Sequence, residues 1–212
     1  MHRSPVLSVS LTALTLAIFA SSLLTSSLLT SSLQAFLQLD PSRSTELWRI
    51  FTCHFTHWDI QHLFWDVIMF GSLAAALEPL GRHRLAACLA GSAIMISCAT
   101  LVLRPEISSY RGLSGIDAAL FTMLLGTWIR DAAHAQRWDR ISALATLGAG
   151  FVAKIAYELE TGRAVFADSS TFASMPLAHI VGAAVGAAFA MLPRRVTTPH
   201  GATKRHATRI CD

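Results

Sequence analysis

The sequence predicts an all-α membrane protein, a bundle of six transmembrane helices followed by a short basic tail. Three observations carry that prediction. Of 212 residues, 53% are hydrophobic and only 14% are charged. The apolar residues come in blocks that approach the ~20 residues needed to cross a ~30 Å hydrocarbon core. Lys and Arg gather between those blocks and in the tail, so the net charge of +4 reads as membrane topology rather than nucleic-acid binding. The four cysteines are scattered, with Cys53 in a loop, Cys88 and Cys98 in one span and Cys211 near the end. That spacing frames neither a disulfide set nor a zinc site.

The first apolar block, Val6 to Leu24, follows a basic start and could serve as a signal peptide, but further spans come at once, so it reads as an uncleaved first span. Its end, from Ser21 to Leu33, repeats Ser-Ser-Leu-Leu-Thr with a period of five that matches neither helix nor strand. A loop from Asp40 to about Asp59 carries Trp48, Phe51, Phe55 and Trp58, aromatics suited to the bilayer interface. The remaining spans are predicted at about Ile60 to Leu80, Leu85 to Leu103, Leu113 to Ile129, Ile141 to Tyr157 and Phe172 to Leu192. Residues 1–192 thus form one six-span membrane domain, and 193–212 a basic cytoplasmic tail.

Counting Lys and Arg by loop places eleven on the side of both termini and five on the other, with Lys154 left inside the fifth span. Both termini are therefore expected in the cytoplasm, and the second, fourth and sixth spans begin at the outer face. Each of these three carries polar groups near its start. His62 and Asp66 lie in the first turns of the second span, Ser114 opens the fourth, and His179 lies about seven residues into the sixth, roughly 10 Å deep at 1.5 Å per residue. Ionisable groups inside a membrane are costly and point to function. His179, Gly182 and Gly186 share one face of the sixth span, and Ser114, Ala118, Thr122 and Gly126 form a small stripe on the fourth. Packing the two stripes together would bring His179 to Ser114, the pairing of base and nucleophile that acyl transfer requires.

These residues resemble the rhomboid intramembrane serine proteases. In that family a serine in Gly-x-Ser-Gly and a histidine on the last core span form a dyad, here Gly112, Leu113, Ser114, Gly115 and His179. The family's His-x4-His-x3-Asn is matched by His57, His62 and Asp66, its Trp-Arg pair by Trp48 and Arg49, and its later glycines by Gly182 and Gly186. The resemblance spans residues 46–192. It implies a bacterial inner-membrane protease that cuts transmembrane segments of protein substrates near the outer face, without cofactor or metal. It also admits a rhombosortase, which trims the C-terminal membrane tail of secreted proteins.

Asp66 departs from the family asparagine. An ionised carboxylate only accepts hydrogen bonds, and at ~4 Å it would repel an oxyanion by about 4 kcal/mol, as much as one oxyanion-hole donor supplies. The expectation is that His62 is the principal side-chain donor and that Asp66, one helical turn on, holds it charged. Asp66 also keeps alive a second reading, a catalytically inactive protein of the same fold that binds membrane clients. Plainer roles exist for the same residues. Ser114 to Asp117 resembles a helix capping box, and His179 could make an interhelical hydrogen bond. His54, His57, His62 and Asp66 could suit a metal, although no His-Glu-x-x-His is present. His57 is expected to hold the first loop. Trp128, Trp138, Tyr110 and Tyr157 are expected at the interfaces, and Glu158, Glu160 and Asp168 in a solvated outer loop.

Overall fold

The structure, a computed structural model, describes residues 5–24, 33–165 and 175–193. The serine-rich repeat, the start of the predicted sixth span, Asp168 and the basic tail lie largely or wholly outside these residues. Six long helices make up the bundle: α1 (Val6–Leu24), α2 (Ile60–Leu77), α3 (Arg82–Leu103), α4 (Ser114–His134), α5 (Trp138–Thr161) and α6 (Pro176–Met191). Among the described residues there is no strand, and an isolated antiparallel bridge joins Leu39 to Tyr110.

Local chemistry sets the helix ends. The Asp59 side chain accepts the His62 backbone N–H and caps α2, Pro176 opens α6 where its missing N–H costs nothing, and Gly162 closes α5 in the left-handed region. The start of α1 is held from a distance. Glu78, in the turn after α2, accepts the Leu7 N–H at 2.9 Å, the Ser8 N–H at 2.9 Å and the Ser8 hydroxyl at 2.8 Å. A carboxylate at a helix N-terminus satisfies orphan donors and complements the dipole.

By length and hydropathy, three described helices can cross a membrane, Ile60–Leu80, Arg82–Leu103 and Trp138–Thr161, and Val6–Ala20 and Pro176–Met191 are shorter apolar helices. The α4 helix is not among them because it carries Asp117, Arg130 and Asp131. Its setting explains the exception. Every residue from Gly115 to Leu120 is buried, so Asp117 need not meet lipid, while Arg130 and Asp131 lie near the far end of the helix. It also runs to His134, beyond the predicted end at Ile129.

The closest contact in the bundle joins α4 to α6. A Cβ added to Gly182 would fall 1.9 Å from the Gly115 carbonyl oxygen, and one on Gly186 1.9 Å from that of Ala119. The Thr122 hydroxyl donates to the Ala183 carbonyl at 3.0 Å in the same seam. The face of α4 that meets α6 is thus Gly115, Ala119, Thr122 and Gly126, which keeps the second half of the predicted stripe and replaces its first half, Ser114 and Ala118, by their neighbours. Ser114 and Ala118 line the cavity beside that seam.

The loop before α2 is tied down by Arg49, which is buried. Its guanidinium donates to the carbonyls of Ala35 at 2.6 Å and Gln38 at 2.7 Å and pairs with Glu46. Trp48 and Phe51 are exposed beside it. Tyr110, expected at the interface, is instead buried, because the Leu39 bridge draws its strand-like segment into the core.

Candidate active site

A cavity of about 840 Å³ opens between α2, α4, α5 and α6, and its walls include His62, Asp66, Ser114, Asp117, Lys154, Glu158 and His179. Ser114 enters it from the first turn of α4. The helix follows Gly112, whose φ of +116° suits a residue without a side chain. A Cβ at Gly112 would also lie 2.9 Å from His62 Nε2. The first intrahelical bond of α4 is from the Asp117 N–H to the Leu113 carbonyl at 2.9 Å, so the N–H of Ser114 belongs to the orphan donors of a helix start.

The capping box does not form. Leu113 occupies the cap position without a side-chain bond, and Asp117 is buried with Oδ1 lacking a hydrogen-bond partner. Asp117 is among the residues that line the cavity.

His179 reaches the same cavity from α6. Across the seam, a Cβ on Gly115 would meet the Ala178 carbonyl oxygen at 3.0 Å, so the chain neighbours of Ser114 and His179 are in contact while both residues line the cavity. No hydrogen bond joins them in this structure, and such bonds often tighten only with substrate bound.

The partner that holds His179 comes from α5. Its Nδ1 lies 2.8 Å from Glu158 Oε2. Lys154 Nζ donates to Glu158 Oε1 at 2.7 Å and lies 3.5 Å from His179 Nδ1. The Val165 N–H donates to Glu158 Oε1 at 3.3 Å. The prediction of a solvated Glu158 is therefore overturned: α5 continues to Thr161, and Glu158 is buried at 1% exposure. Charged residues after Tyr157 favour a water-facing loop by local composition, but α5 continues through them and turns Glu158 inward. The signal available in the sequence was Lys154 four residues before Glu158, a spacing that pairs opposite charges on one helix face. Glu160 does lie on an exposed face, but within the helix.

Asp66 collects three donors on one oxygen. Its Oδ2 accepts the Leu113 N–H at 2.8 Å and faces His57 Nε2 at 3.2 Å and His62 Nε2 at 3.3 Å. An ionised carboxylate suits this position because every close neighbour can donate. His57, assigned by sequence only to the loop, supports Asp66 directly. Beneath them His54 faces the carbonyls of Gly112 at 3.3 Å and Ala93 at 3.4 Å. Burial lowers the pKa of His54 to about 4 and also lowers that of His57, where the Asp66 carboxylate opposes the shift. His54 is therefore engaged with backbone and does not turn toward Asp66. Among the described residues no group of three or more His, Cys, Asp or Glu side chains is arranged to hold a metal ion.

Comparison with curated proteins finds no match. A family model described as the Rhomboid domain matches residues 44–195, a stretch that contains the Gly112 to Gly115 turn, both helices of the close seam and every side chain lining the cavity named above. The chain is an integral membrane protein of the rhomboid family, whose members are generally intramembrane serine proteases.

Proposed function

We propose that this protein is an active intramembrane serine endopeptidase with Ser114 as nucleophile and His179 as its base. The observation that supports this most is their shared position: the hydroxyl residue that opens α4 and the one histidine of α6 lie next to the residues where the two backbones nearly touch, and both line the cavity. Ser114 Oγ attacks the scissile carbonyl carbon while His179 Nε2 takes the hydroxyl proton. The oxyanion is stabilised by the Ser114 N–H and by His62, whose ring is held by Asp66. Collapse expels the amine, to which His179 returns the proton, and water hydrolyses the acyl-enzyme. Asp66 thus acts through His62, and its bonds to Leu113 and His57 draw its charge toward donors, away from the developing oxyanion.

The substrates are membrane proteins with a scissile span, including the C-terminal tails that a rhombosortase trims. With eleven Lys and Arg on the side of the termini against five opposite, both termini lie in the cytoplasm of a bacterial inner membrane and cleavage occurs toward the outer face. The test is labelling of the detergent-solubilised protein with a fluorophosphonate probe. Wild type is expected to label, and Ser114→Ala and His179→Ala are not. A folded wild-type protein that takes no label would overturn the reading in favour of an inactive client-binding member of the family.

A further inference from the structure

We infer that Glu158 is a positioning residue for His179, so that the proposed site works as a Ser-His-Glu triad whose third member is supplied by α5. The inference rests on the assignment of Ser114 and His179 given above. Its geometry is direct. Glu158 Oε2 lies 2.8 Å from His179 Nδ1, whereas Lys154 Nζ lies 3.5 Å away from the same nitrogen. An ionised carboxylate accepts only, and an ammonium donates only. The short contact therefore places the proton on Nδ1 and directs it to Glu158. That leaves the lone pair on Nε2, the tautomer a base needs in order to take the Ser114 proton. When the proton arrives, the imidazolium forms beside a carboxylate already in place.

The setting argues against a purely structural role. Of the 24 residues of α5, Glu158 alone is buried. A helix whose other residues are all exposed or half-buried has no need of a buried carboxylate for stability, since replacing a buried ion pair with apolar groups is often neutral or stabilising. Lys154 makes the pair neutral and holds Oε1 at 2.7 Å, and the Val165 N–H holds the same oxygen. The second oxygen is thereby aimed at the histidine. The side chain is fixed at both ends, as an orienting group in a triad must be.

The experiment uses the full chain in detergent and follows the saturation kinetics of fluorophosphonate labelling together with thermal unfolding. Glu158→Gln keeps the shape but offers Nδ1 an amide that can present either oxygen or nitrogen. Its limiting labelling rate is expected to fall by about 100-fold or more with an unchanged half-saturating probe concentration, and the unfolding midpoint is expected to drop as Lys154 loses its charged partner. Glu158→Asp, which keeps the charge and the pairing with Lys154, is expected to recover part of that loss. A limiting rate for Glu158→Gln within about threefold of wild type would overturn the inference while leaving Ser114 and His179 in place. If Glu158→Gln does not fold, Glu158→Asp decides: a rate about tenfold below wild type supports the positioning role, and a wild-type rate overturns it. Wild-type protein that takes no label, or labelling that survives Ser114→Ala, would instead remove the serine-protease reading itself.

Discussion

The two helices that flank α4 along the cavity meet it in opposite ways. On one side α6 lies so close that the glycine carbons of one helix sit against the carbonyl oxygens of the other. On the other side α5 presents apolar residues such as Val152 and Leu159 outward and buries only Glu158. The difference divides the labour of the site. The seam fixes the distance between the helices of Ser114 and His179, and no side-chain rotation can loosen a backbone contact. The α5 flank is joined to His179 by a polar contact and is the more loosely packed side of the cavity.

Breaking the seam should give the largest effect. Gly182→Val would drive a branched side chain into the Gly115 carbonyl, and overpacking of this kind costs about 3 kcal/mol or more. The expected result is loss of the cooperative thermal transition and of probe labelling together. Wild-type unfolding behaviour in that variant would show that the seam is looser than the geometry requires.

The α2 support comes next. Asp66→Ala leaves the Leu113 N–H without its acceptor and removes the carboxylate facing His57 and His62. Unfolding is expected to be easier by at least about 2 kcal/mol, with labelling reduced as His62 loses its anchor. Asp66→Asn retains an oxygen for Leu113 and should lose less stability. Its labelling rate and pH profile should still differ from wild type, and unchanged values would sink the role given to Asp66.

Acid should weaken the same side of the molecule. His54 has its folded pKa at about 4, below its ordinary value of 6.5, because burial disfavours the cation. Between these values the unfolded chain binds the extra proton, so the contribution to stability is present above pH 6.5 and is lost as pH falls toward 4. Thermal midpoints measured from pH 7 to pH 4.5 should decline, and His54→Gln should flatten the decline. The smallest effect belongs to the outward face of α5. Val152→Ala, at a position 65% exposed, should change stability by no more than about 0.5 kcal/mol. A larger loss would mean that α5 packs more tightly than the comparison holds.

The helical membrane class and the order of the long helices were legible along the chain, because hydropathy and helical rise are local properties that neighbouring residues in sequence carry together. Gly182 and Gly186 could be read as a close-packing face for the same reason, since their spacing fixes their direction on one helix. The register of that face against α4 could not, because a rotation of one residue leaves the sequence pattern of small residues nearly unchanged while deciding whether Ser114 faces the seam or the cavity. Glu158 was placed in water by the charge of its surroundings, and only the packing of α5 against α6 revealed its bond to His179. Asp66 likewise appeared to confront an oxyanion until Leu113, His57 and His62 were seen to converge on it from three segments. What the sequence determined by itself was which helices carry the polar groups and which small residues share a face. Which of them meet, and therefore whether each is a charge in need of relief or a partner that relieves one, was decided by tertiary contacts between residues 9 to 47 positions apart, a separation across which no local periodicity carries information.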